Sequence, residues 1–146
     1  PHIHPKQKLQ NMGKKLNSLR MVLTVFMSAL AIYILFSTQQ KNSDPGFVFA
    51  IIGLLFAFLG NYFKTIKPNY FIGIRTPWTL ENEEIWKKTH LMAGKLWFVG
   101  GLLMAMTFLV PNYFQEYTFF GITAVIIIIP ILYSYLAFKK IKSVTK

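Results

Sequence analysis

The chain has 146 residues, with 16 Lys and Arg against 5 Asp and Glu, giving a formal net charge of +11. Hydrophobic residues make up 53% and charged residues 14%, well below the roughly 25% charged of an ordinary soluble domain. Such a composition excludes a disordered tail, which requires low hydrophobicity, and the lack of cysteine excludes a disulfide scaffold or a Cys-ligated metal.

Residues 1–20 read as a basic leader or linker, with Lys6, Lys8, Lys14, Lys15 and Arg20. An apolar block follows from Met21 to Phe36. It contains Ala29-Leu30-Ala31, which resembles a signal-peptide cleavage site. The apolar run continues to Phe36, so the spacing predicts a retained helix. A short loop with Lys41 and Asp44 leads to a second block, Gly46 to Phe63, which has no formal charge. The third block runs from Leu91 to Val110 and holds only Lys95; the fourth runs from Tyr117 to Phe138 and is uncharged. Each block approaches the ~20 residues that carry a helix across about 30 Å of hydrocarbon. None shows the polar stripe of a soluble bundle helix.

These features predict an all-α, polytopic membrane protein with four transmembrane helices, residues 21–146 forming the membrane domain. The cations alternate by segment. The leader is rich, the first short loop is poor, the long 64–90 segment is rich, the next loop has none, and the tail holds Lys139, Lys140, Lys142 and Lys146. The positive-inside rule then predicts both termini and the 64–90 loop in the cytoplasm, an N-in/C-in topology. The charge suits an anionic lipid leaflet rather than direct nucleic-acid binding.

Small residues predict close helix packing: Gly53 and Ala57 on the second block, Gly94, Gly101 and Ala105 on the third. Pro130 predicts a kink in the fourth. Lys95 lies one turn inside the third block and can snorkel to the interface. Asn-Tyr-Phe occurs at residues 61–63, 69–71 and 112–114, which reads as helix-end chemistry rather than a repeat.

The 64–90 loop is richer than a connector requires. Pro68 and Pro77 stiffen it, and Gly73 permits a turn. Thr79 is placed to cap a short helix that begins with Glu81, Glu83 and Glu84 and runs on into the third block. Trp86 is expected to face the membrane or a partner. Arg75 and Trp78 suit recognition through cation–π or bidentate contacts. An enzyme reading would use His90 as base with Thr76 or Thr79 as a weak nucleophile. No triad, phosphate loop or metal-binding spacing supports it, so neither catalysis, a metal nor a cofactor is expected.

The stretch from Gly60 to Gly94 resembles the SdpI family of bacterial integral membrane proteins. The residues that carry the likeness are Pro68-Asn69, Gly73-Ile74-Arg75-Thr76-Pro77-Trp78-Thr79-Leu80, Trp86, Thr89-His90 and Gly94. The resemblance implies an immunity protein of the bacterial cytoplasmic (inner) membrane. Such a protein protects the cell from a secreted toxic peptide and holds an ArsR-type winged-helix repressor at the membrane. It also implies a further membrane module upstream of Pro1. The expected partner surface is Asn69, Gly73, Arg75, Thr76, Pro77, Trp78, Trp86 and His90. The rival function is a small-solute transporter or permease subunit, for which Lys95 and Pro130 are the only intramembrane features. The sequence leaves the oligomeric state open.

Overall fold

The computed structural model describes residues 5–40, 44–68 and 72–144, and Asn69 lies outside them. The described residues form helices and connections, with no strand. Two compact units result, Pro1–Ser43 and Asp44–Lys146.

The first unit is built on one long helix, α1 (Pro5–Ser37). Its apolar part, Leu16–Ser37, is long enough to cross a membrane. Polar side chains are absorbed by the helix itself. The hydroxyls of Ser18 and Thr24 donate to the carbonyls of Lys14 and Arg20, one turn back. Backbone and hydroxyl groups therefore need no water along this stretch. The basic leader is helical from Pro5 onward and continuous with the apolar span.

The second unit contains α2 (Gly46–Phe63), the short α3 (Pro77–Glu81), α4 (Glu83–Ala105) and α5 (Asn112–Val144). Asp44 Oδ1 accepts the Gly46 N–H at 2.8 Å, satisfying one orphan donor where α2 begins. A 3-10 turn (Met106–Leu109) ends α4, and Pro111 leads directly into α5. The buried Gln115 side chain closes this tight connection by donating to the Val110 carbonyl at 3.0 Å. With α1, these give four helices long and apolar enough to span a membrane.

Helices α2 and α4 run antiparallel at backbone contact. A Cβ on Gly101 would lie 2.6 Å from the Gly53 carbonyl oxygen, and one on Gly94 would lie 2.6 Å from that of Gly60. Ala57 and Ala105 complete the seam. Close approach of this kind substitutes van der Waals contact for the hydrophobic drive that lipid does not provide. Helix α5 packs against α4 and also meets α2. Met104, Phe119 and Ile126 form the core between them, lined by Phe49, Phe56 and Trp97. Phe49 and Phe119 stack with ring centroids 4.4 Å apart. Most remaining apolar side chains, such as Leu102, Phe120 and Leu132, point outward. An outward apolar surface is what a protein immersed in lipid presents.

Candidate functional site

Residues 64–68 and 72–82, the described parts of the connection, meet the N-terminal part of α4. The geometry begins with two caps. Thr76 is the N-cap of α3; the Thr76 N–H donates to the Thr79 hydroxyl at 3.0 Å, and Pro77 occupies the first helical position. Asn82 is the N-cap of α4, and its Oδ1 accepts from the N–H groups of Glu84 (2.9 Å) and Ile85 (3.1 Å). The cap of the helix entering the third block is therefore Asn82, not Thr79. Thr79 is fully buried and instead donates to the Ile74 carbonyl at 2.8 Å. Asn82 before Glu83-Glu84 was the available signal, since acidic side chains favour the first turn after such a cap.

Two aromatic side chains on α4 pin the connection. Trp86 is fully buried and donates from Nε1 to the Ile66 carbonyl at 3.1 Å, holding the incoming limb. His90 is 1% exposed and holds the outgoing limb. Its Nε2 accepts the Ile74 N–H at 2.9 Å, and its Nδ1 lies 2.9 Å from the Trp86 carbonyl oxygen. A backbone N–H can only donate and a carbonyl can only accept. The ring is thus the neutral tautomer with the proton on Nδ1. The two rings stack at 4.0 Å, and Phe63 meets His90 edge-on at 5.8 Å. Neither Trp86 nor His90 presents its side chain outward, contrary to the sequence expectation for Trp86. In a polar-poor environment, each is worth more as a satisfied internal bond than as an exposed group.

Gly73 has φ of +120°, a region that L side chains rarely adopt. A Cβ there would meet His90 Nε2. The result is a stiff segment in which Arg75 and Pro77 are exposed, Thr76 and Trp78 half-buried, and Thr79 buried. Trp78 reaches α5: its Nε1 donates to Ser134 Oγ at 2.8 Å, and its ring meets Tyr135 and Phe138. Outside this cluster, Glu84 and Lys88 pair along the exposed face of α4. Lys64 sits over the Phe98 ring, 5.5 Å from its centroid, while Lys95 is exposed.

Of the residues singled out in the sequence, Gly73, Trp86 and His90 come together as one knot. Arg75, Thr76, Pro77 and Trp78 form the ridge that the knot holds up. Gly94, Gly101 and Ala105 lie on the α2 seam. Residues the sequence did not point to are Ile66, which contributes a backbone carbonyl, and Asn82, Trp97 and Ser134; Ile74 carries the likeness, but its backbone role was not signalled. Backbone acceptors leave no mark on composition. Trp97 did leave one: a tryptophan in mid-span, away from the interface where the residue usually sits.

Residues 65–134 match the model of the SdpI/YfhL protein family. The immunity protein SdpI of Bacillus subtilis (strain 168) is 31% identical over 94 residues, covering 64% of this chain and 42% of that protein. The chain therefore spans about two fifths of the length of the relative it matches. No solved structure matches. The matched segment begins at the pinned connection and ends at Ser134, the residue that Trp78 contacts. The SdpI resemblance holds over this segment, and the chain is a multi-pass membrane protein.

Proposed function

We propose that this SdpI-like chain is an immunity and signalling protein of the bacterial cytoplasmic membrane, acting by binding rather than by chemistry. Its leader, the 64–82 connection and its tail face the cytoplasm, a reading supported by the cations they carry. It protects the cell from a secreted toxic peptide, as the resemblance implies and in keeping with the relative's name as an immunity protein. The Arg75–Trp78 ridge docks a cytoplasmic partner, and an ArsR-type winged-helix repressor is the partner that the resemblance implies.

The observation that carries this reading is the use of both His90 nitrogens in holding the connection. A histidine so engaged has no free nitrogen to take a substrate proton, whereas a pinned loop with an exposed arginine is pre-organised for recognition. Pre-organisation lowers the ordering cost of binding, and arginine is a frequent interface anchor.

The test is survival of toxin-sensitive bacteria that express the full-length protein, challenged with the secreted peptide encoded nearest its gene. Arg75→Ala is expected to abolish partner capture while membrane levels stay normal. Intact protein that gives no protection against that peptide would overturn the immunity reading. Unchanged capture of a winged-helix repressor by Arg75→Ala would overturn the assignment of the ridge.

A further inference from the structure

Pro130 lies inside α5, which continues as a helix on both sides of it. Proline has no N–H, so the carbonyl one turn back, that of Ile126, loses its helical partner. An unpaired carbonyl in an apolar interior costs as much as a lost hydrogen bond. Here the Trp97 indole supplies the missing donor, with Nε1 2.8 Å from the Ile126 oxygen. Trp97 is itself wedged against Phe56 and Phe63 of α2, at 4.8 and 4.6 Å. Gly100 leaves room for the Ile126 side chain, which a Cβ at that position would strike. The segment of α5 before Pro130 is thereby tied to both α2 and α4.

The segment after Pro130 is held differently. One turn beyond the proline, Ser134 is fully buried and accepts from Trp78 of α3. Trp78 also packs on Tyr135 (5.4 Å) and Phe138 (6.2 Å). Two tryptophans thus bracket one proline, one belonging to the membrane core and the other to the pinned connection.

We infer that Pro130 is a hinge whose angle is set by Trp78, so that displacement of the 72–82 segment swings residues 131–144 of α5 while the rest of the helix stays fixed. A proline breaks the hydrogen-bond ladder locally and is the commonest cause of sharp helix bends. Loss of the Trp78–Ser134 bond removes a restraint on one arm only. A bend of roughly 20° moves position 139, about 13 Å along the axis from Pro130, by about 4–5 Å. The coupling is a property of the fold and does not depend on the immunity reading.

The chain has no cysteine, so spin-label pairs can be introduced without removing any. The full chain in bilayer nanodiscs would carry labels on Lys87→Cys and Lys139→Cys, with Leu54→Cys and Phe120→Cys as the pair before the hinge. Trp78→Phe is expected to shift or broaden the 87–139 distance by about 4–5 Å and leave the 54–120 distance unchanged. Ser134→Ala, which removes the same bond from the other side, should do the same. In a Pro130→Ala background, neither variant should change the 87–139 distance. An 87–139 distance that stays put in both variants overturns the hinge. So does movement of both pairs together, or a shift that persists after Pro130→Ala.

Discussion

Gly73 and His90 define each other's place: a Cβ on Gly73 would clash with His90 Nε2. The glycine's φ of +120° turns the next N–H, that of Ile74, onto the same nitrogen. One residue therefore provides both the space and the direction for the bond that closes the connection. Gly73→Ala adds a steric conflict to a backbone conformation that alone costs a side-chain-bearing residue about 1–3 kcal/mol. The expected outcome is faster hydrogen exchange at the Ile74 amide with little change at amides in mid-α4. Unchanged Ile74 protection would show that the connection closes without this fit.

His90→Leu keeps bulk and removes both polar partners. It leaves the Ile74 N–H and the Trp86 side of the stack unsupported, at about 1–3 kcal/mol for a buried unsatisfied group. Limited proteolysis of the detergent-solubilised protein should then cut within 72–82. The intact protein should resist at the same site under the same conditions.

The α2–α4 seam gives a contrast between glycines. Gly53→Val and Gly101→Val place side chains against the Ala105 and Ala57 backbones, and overpacking of this kind costs about 1–3 kcal/mol or more. Both should lower the midpoint of thermal unfolding in detergent. Gly121→Ala is expected to raise or preserve it, because a Cβ there meets nothing within 4 Å and alanine is the better helix former. Equal loss in all three variants would mean that glycine matters here for reasons other than close approach.

Asn82→Ala removes the acceptor for two α4 N–H groups and should cost about 0.5–2 kcal/mol. Asn82→Asp keeps the acceptor and adds a negative charge at the helix N-terminus, so it should be neutral or stabilising. The pair of unfolding midpoints separates capping from any packing role of the side chain. A destabilised Asn82→Asp would point to packing.

The proposed orientation predicts opposite labelling at the two faces. In intact cells, a membrane-impermeant maleimide should react with Tyr113→Cys and spare Arg75→Cys and Lys139→Cys. The latter two should react only after the cells are permeabilised. Labelling of Arg75→Cys from outside would invert the topology and place the ridge away from any cytoplasmic partner.

The number and type of the long helices follow from hydropathy summed over each block. Membrane insertion is governed by that sum, so no knowledge of neighbours is needed to read it. The same holds for the small residues of the α2–α4 seam and for the stiff Pro–Gly character of the connection, which are local properties of the chain. The direction in which Trp86 and His90 point was not legible. Their partners are the backbone carbonyl of Ile66 and N–H of Ile74, and every residue has such groups. Nor could the sequence pair Trp78 with Ser134, 56 residues away, or Trp97 with Ile126, 29 residues away. The second exists because α4 and α5 lie antiparallel at one particular register, which brings one indole to the carbonyl that Pro130 leaves open; the first depends on where the connection sets α3 against α5. Hydropathy is a property of single residues, whereas a hydrogen bond between elements is a property of a pair. Only the packed helices decide which pairs meet.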